Sequence, residues 1–298
     1  MRVRLWGTRG SVPTAHPDSA GYGGNTPCVE VEPKEGQRLI LDAGTGLHWL
    51  GLSLLEARAS GGGMEAHILL SHTHWAHIQG IPFATPMLMA GNRFTLRGTR
   101  NGSASLADLL ARQMDSTYCP VPNFLAAGIG ADLDVEETDQ GEFEVGGTRV
   151  RARRLNHVPG TVCLGYRLDS DSGSLAYLPD VEYLEAAHRD PALDLADGVD
   201  LLIHDAHYTT AEYPQKREQG HACDRDAVEI AREAGVARLL LFHHHPDRTD
   251  AELDDVASAY GDAELSIQPA REGTEYLLTA DSGPAAPPDS CHQAAVPR

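Results

Sequence analysis

Five times along this chain a short apolar run stops on a histidine or an aspartate. The stretches are "LILDAGTG" with Asp42, "LLSHTHWAH" with His72, His74 and His77, "RRLNHVPG" with His157, "LAYLPD" with Asp180, and "LLLFHHHP" with His243 to His245. Short runs rich in leucine, isoleucine and valine, bounded by polar stops, read as buried strands. A strand end is rigid, and its side chain is free to leave the sheet. Any one such residue is most simply a cap or a turn residue. All of them in this order point to a metal centre, because imidazole and carboxylate are donors that divalent ions take.

In all, β-rich runs lie at 2–7, 27–33, 38–44, 66–71, 148–155, 163–168, 174–180, 199–205 and 237–243. Helical patterns fall at 47–58, 103–114, 224–234 and 250–259, interspersed rather than after every strand. The first strands come as hairpins or meanders. This order predicts an α/β fold of two mixed β-sheets packed together with helices outside. A chain of 298 residues is expected to form one domain over 1–280, followed by a Pro/Ala-rich, disordered tail at 281–298.

The balance of 24 basic and 43 acidic residues gives a formal charge of −19, which disfavours extended DNA or RNA as a partner. Cys28, Cys119, Cys163, Cys223 and Cys291 are odd in number and lack CxxC spacing, as expected of reduced thiols in a cytoplasmic protein. The N-terminus turns polar too early for a signal peptide, and no apolar run is long enough for a membrane span. The segment "DLDVEETDQGEFE" at 132–144 carries seven carboxylates and no base, and leads to a strand with Arg149, Arg151 and Arg153 on one face. These arginines are either a phosphate platform or, as preferred here, partners of neighbouring acidic strands.

The segments "LWGTRGSVPT", "YGGNTPCVEV", "LILDAGTG", "HTHWAHIQGIPF", "GHAC" and "LLLFHHHP", taken in order, resemble the metallo-β-lactamase superfamily. Its signature is HxHxDH followed downstream by His, Asp and His. The similarity runs to about residue 280 and lies with the phosphodiesterase-like branch of tRNase Z, PhnP-type and cyclic-nucleotide phosphodiesterases. The resemblance implies a four-layer αββα sandwich. It implies that His72, His74 and His157 hold a first metal, that His77 and His243 hold a second, and that Asp180 bridges them. Asp42 would orient the histidines from behind. Two zinc ions are implied, with manganese or iron as alternatives, and a hydroxide generated between them as nucleophile. His221 in "QGHACDRDA" would give the leaving group its proton, or is simply a loop histidine at a helix entrance. His244 and His245 stay open as alternatives to His243.

Two departures stand out. The motif position usually held by Asp is Ala76, and "GHAC" stands where the branch has GHST. Ala76 leaves three readings: an enzyme with a weakened second metal seat, an inactive or repurposed homologue, or a substitution introduced to trap substrate. The expected function is hydrolysis of a small, cyclic phosphodiester. The alternatives are hydrolysis of a lactone, thioester or other acyl compound, and ligand binding without catalysis. A small-molecule partner is favoured because no Gly/Pro/basic insertion resembles the tRNA-gripping arm of tRNase Z; a homodimer is compatible with the sequence. His48 and His67 read as packing or surface residues. His16, His204, His207 and Tyr208 are weaker cleft candidates. The segment from "PMLMAGNRFTLRGT" through "ARQMDSTYCPVPNF" is expected to form a lid or substrate wall, with Met114, Tyr118 and Phe124 in the core.

Overall fold

Arg2 and Arg4 point outward from the first strand while Val3 and Leu5 are fully buried, the period of two that a half-covered strand requires. This strand, β1 (Arg2–Gly7), runs antiparallel to β2 (Cys28–Glu32), which runs antiparallel to β3 (Leu39–Leu41). The sheet continues in parallel through β4 (Glu65–Leu69), β5 (Arg93–Gly98) and β6 (Asp132–Glu137). A second sheet starts with the antiparallel strands β7 (Gly141–Val145), β8 (Thr148–Leu155), β9 (Cys163–Ser170) and β10 (Gly173–Leu178). It goes on in parallel through β11 (Leu201–Asp205), β12 (Arg238–Phe242) and β13 (Ser266–Pro269). The last strand, β14 (Glu275–Leu277), returns to pair with β1. This computed structural model describes residues 1–57, 63–121, 130–260 and 265–279.

The two sheets face each other across a core that includes Val3, Leu5, Val31 and Leu41 from one and Val150, Tyr166, Tyr177 and Phe242 from the other. The outer face of the first sheet is covered by α1 (Gly46–Ala57) and α3 (Leu106–Gln113), with the short α2 (Trp75–Ile78) between them in sequence. The outer face of the second carries α4 (Asp190–Ala196) and α5 (Asp224–Glu233), which bury Leu195, Ala227 and Ile230 against Ala176, Leu202 and Leu239. Strand β11 is buried along its whole length, as a parallel strand covered on both faces must be. The result is the expected αββα sandwich of two mixed sheets between helices.

The acidic segment is divided between the sheets. Strand β6 edges the first sheet, where Asp132 meets Arg93 at 3.2 Å and Glu136 meets Arg97. Strand β7 opens the second sheet, where Glu142 meets Arg151 at 3.1 Å. Arg153 pairs with Asp194 at 2.6 Å and Arg149 lies 3.9 Å from Asp169, so Arg149, Arg151 and Arg153 all sit beside carboxylates.

The expected lid differs from what is found. Its "RFTLRG" portion is strand β5 inside the first sheet, and Met87 is buried beneath α1. Met114 is core, but Tyr118 is 82% exposed, because it lies on the turn that follows α3. Phe124 and the tail at 281–298 lie outside the described residues. Cys28, Cys119, Cys163 and Cys223 are free and buried, while Cys291 is outside the described residues. Among the described residues no helix is long and apolar enough to cross a membrane.

Candidate metal centre

The centre is built from loops that leave the strands of both sheets at one rim. Strand β3 ends at Leu41, and Asp42 turns the chain with a left-handed φ of 58°, which Asp tolerates better than most residues. Its backbone N–H donates to Leu69 O at 3.0 Å, so the ends of β3 and β4 are held side by side. The turn after Asp42 and the turn after α2 then touch backbone to backbone. A Cβ on Gly80 would sit 2.0 Å from Gly44 O, so glycine there is a steric requirement.

Asp42 is fully buried and accepts four hydrogen bonds. Ser71 N–H donates to Oδ1 at 2.7 Å; Ser71 Oγ, His77 Nδ1 and Tyr177 OH approach Oδ2 at 2.8, 2.7 and 2.7 Å. Tyr177 reaches across the sandwich from β10, so this carboxylate joins the two sheets as well as fixing His77. With Nδ1 of His77 engaged, its Nε2 faces forward, 3.2 Å from Asp180 Oδ1.

Asp180, just past β10, is the point on which the imidazoles converge. Nε2 of His243 is 3.4 Å from Oδ1; Nε2 of His72 and of His157 are each 3.7 Å from Oδ2. His157 is oriented from behind, since Nδ1 donates to Gly220 O at 2.7 Å. His74 is exposed, with Nδ1 3.3 Å from His157 Nε2 and Nε2 3.1 Å from Thr161 Oγ1. Two groupings with ligand atoms within 4.8 Å of one another follow: His72, His74, His157 and Asp180, and His77, Asp180 and His243. Ala76, buried on α2 beside His77, brings no donor to either.

His221 stands beside them, its ring 5.2 Å from that of His157. Its Nδ1 is 2.9 Å from Asp205 Oδ2, and Asp205 also accepts from the N–H groups of Val181, His207 and Ala222. His207 is buried here too, its Nδ1 donating to His243 O at 2.8 Å. His207, His221 and His243 form a third grouping with ligand atoms within 4.8 Å. His244 turns away, pairing through Nε2 with Ala270 O at 2.7 Å, and His245 is only partly buried. His204 bonds Tyr183 OH at 2.7 Å on the helix-covered side of the second sheet. His16 is exposed at the start of a short 3₁₀ turn, His67 lies in β4, and His48 lies 3.2 Å from Phe83 O. Asp205, Ser71 and Tyr177 are site residues that the sequence reading did not single out. Asp205 had a signal, since "LLIHD" is another apolar run stopped by a carboxylate.

Burial, with the neighbouring imidazoles, lowers the proton affinity of His72, and it holds His74 near 4. His157, His207 and His243 are lowered chiefly by burial as well. These rings are neutral at pH 7 and keep a lone pair. Burial also disfavours charge on His77, but Asp180 and Asp42 outweigh it and raise the group to about 10. Burial raises Asp180, and His243, His77 and His72 overcome that and leave it well below the usual carboxylate range. Burial lifts Asp205 to about 6 against the pull of His221, and His221 itself is raised, Asp205 outweighing its own burial.

The donor set fits a divalent ion. Nε2 of His72 and both ring nitrogens of His243 are buried without a hydrogen-bond partner among the described residues, an arrangement that is costly unless something binds there. A layered sandwich with such a donor cluster at its strand ends offers seats for divalent ions at one rim. The sequence pattern of the beta-lactamase superfamily domain matches residues 37–244, and the chain belongs to the metallo-β-lactamase superfamily. A Ribonuclease Z of Halorubrum lacusprofundi is 26% identical, the match covering 82% of this chain and 86% of that protein. The metallo-beta-lactamase fold protein YhfI from Bacillus subtilis superposes with a TM-score of 0.67 at 19% identity, covering 92% of this chain and 98% of that one. A diphosphatase from the PhnP family superposes at 0.64 and 18% identity, covering 93% and 99%.

Proposed function

We propose that this hydrolase is a phosphodiesterase acting on a small, cyclic phosphodiester at the centre around Asp180. The observation that carries the reading is the convergence of four Nε2 atoms on the two oxygens of one buried carboxylate, at 3.2 to 3.7 Å. His72, His74, His157 and Asp180 would hold one ion; His77, Asp180 and His243 would hold a second. Zinc suits these nitrogen and oxygen donors. Such ions supply an acidified water and positive charge for the phosphoryl oxygens.

The chain's own residues do the rest. Asp42 holds the Nδ1 proton of His77 and so keeps Nε2 of that ring pointed at the centre. His157 is locked in the same way by Gly220 O. His221, backed by Asp205, is the group that hands a proton to the leaving oxygen. A small substrate is supported by the charge of −19 and by the ion pairs that already engage the β8 arginines.

Hydrolysis of bis-(p-nitrophenyl) phosphate by this chain, beside an Ala76→Asp variant, tests the reading. Restoring a carboxylate at the second seat is expected to raise kcat/KM by roughly tenfold or more, since even changes behind the ligands shift metal affinity or activity about 10–100-fold. Absence of phosphodiesterase activity from both proteins, with zinc bound, would refute the proposal.

A further inference from the structure

Ala76 leaves the His77 side of the centre one carboxylate short. Close by, the chain carries an imidazole that the superfamily signature does not call for. His207 follows β11, and its Nδ1–H donates to His243 O at 2.8 Å, which leaves the Nε2 lone pair free to bind. His221 is set alike, with Nδ1 on Asp205 Oδ2 at 2.9 Å. A ring nitrogen donated to a carbonyl or carboxylate is how metal-ligating histidines are held. Beside both rings, His243 is 1% exposed, and neither of its ring nitrogens has a hydrogen-bond partner among the described residues. The three ring centroids are 4.4, 4.9 and 5.1 Å apart. The N-terminal loop closes tightly over this group: a Cβ on Gly10 would lie 2.6 Å from His243 Nδ1 and 2.8 Å from His207 Nδ1.

We propose that His207, His221 and His243 form an alternative seat for the second metal ion, which this chain uses because Ala76 weakens the seat of His77, Asp180 and His243. The proposal rests on the metal-dependent reading above but not on phosphodiester hydrolysis. His243 belongs to both seats, so one ion occupies one or the other. Three neutral imidazoles and a water meet the donor count of a histidine-only zinc site. Lacking a carboxylate, the seat favours zinc, nickel or copper over manganese or magnesium. While an ion sits there, His221 is engaged as a donor and has no proton to give a leaving group, so hydrolysis proceeds only when the second ion is at the seat of His77, Asp180 and His243.

Calorimetric zinc titration of the metal-free full-length chain reads this without substrate. Four proteins are compared: the parent, His207→Thr, Ala76→Asp, and the double variant. His207→Thr is expected to weaken the second ion tenfold or more in the parent, and to change it less than twofold beside Ala76→Asp, where the other seat is restored. His207→Gln keeps a donor for the carbonyl of His243 but no imidazole, and is expected to behave as His207→Thr does. The proposal is overturned if His207→Thr leaves the parent unchanged, if it weakens both backgrounds equally, if His207→Gln binds as the parent does, or if the parent binds a single ion. Failure of phosphodiester hydrolysis alone leaves these titrations standing.

Discussion

Replacing Asp42 by Asn changes one atom of the centre's frame while keeping a residue that tolerates the left-handed backbone at this position. Four donors meet the native carboxylate, three of them on Oδ2. An amide cannot satisfy all of them. With its oxygen in the Oδ2 position, its NH₂ faces the Ser71 N–H, and a buried donor is left unpaired. With the amide reversed, NH₂ meets His77 Nδ1, which must then accept, and the ring proton moves to Nε2, the atom that faces Asp180. Hydrogen bonds to a charged acceptor are worth about 1.5–3 kcal/mol against about 0.5–1.5 for neutral ones, so the variant should lose roughly 2–4 kcal/mol of stability. Zinc affinity at the His77 seat should fall roughly 10–100-fold, about 1.4–2.7 kcal/mol. Urea unfolding of the metal-free protein reads the first quantity, and zinc titration reads the second. To separate this seat from the one containing His207, the titration is made in the Ala76→Asp background. A stability loss with zinc affinity unchanged would show that Asp42 only plugs the space between the sheets. An unchanged stability would refute the hydrogen-bond argument itself.

Three other outcomes follow from the structure. His77, raised to about 10 by Asp180 and Asp42 against its burial, carries a proton at pH 7 in the metal-free chain. An ion on its Nε2 displaces that proton, so apparent affinity at the His77 seat should rise about tenfold per pH unit between roughly 7 and 9; zinc titrations of the Ala76→Asp protein in buffers of different ionisation heat would show one proton released, and none released would contradict it. Glu272 is raised from 4.5 to about 7 by burial, only partly offset by Asn25 and Arg9. A raised folded-state value means that its contribution to stability is fully present below pH 4.5 and is lost as pH rises through 7, on the order of 1–3 kcal/mol; Glu272→Gln should flatten the dependence of urea midpoints between pH 5 and 8, and identical slopes would count against the assignment. Gly80→Ala places a methyl group 2.0 Å from Gly44 O and should destabilise the fold by about 3 kcal/mol or more, read as a fall in Tm.

What the sequence made legible was what repeats locally. Arg2, Val3, Arg4 and Leu5 announce β1 by alternation, and the apolar runs of β11 and β12 announce strands buried on both faces. Strand β6 was harder to read, because its six residues include four carboxylates and ion pairs to Arg93 and Arg97 accompany its place at the sheet edge. Strands β13 and β14 are four and three residues long, too short for a period to emerge. In the site, the residues that stop apolar runs could be read, yet their partners could not. Tyr177 lies 135 positions from Asp42, and His157 is held by a backbone carbonyl 63 positions away. Neither contact leaves a local pattern. The choice among His243, His244 and His245 likewise depends on a backbone turn: the φ of 58° at His243 directs that ring to Asp180 and the next one to Ala270 O.

Those distant partners also bear on what Ala76 does to the centre. His77 is braced by Asp42, His157 by Gly220 O, His221 by Asp205 and His207 by His243 O. None of these braces passes through the side chain at position 76, so losing a carboxylate there leaves the frame of imidazoles intact. The loss is then one of charge and donor count. On the proposed reading the first ion keeps four protein donors, His72, His74, His157 and Asp180, while the second keeps three on the His77 side and shares its only carboxylate with the first. Two dications facing a single carboxylate repel each other with little to offset it. The first ion should therefore load at lower zinc concentration than the second, with the gap narrowing in Ala76→Asp. An ion held by His207, His221 and His243 no longer shares Asp180 with the first ion. The extra histidine and the missing aspartate thus act on the same ion.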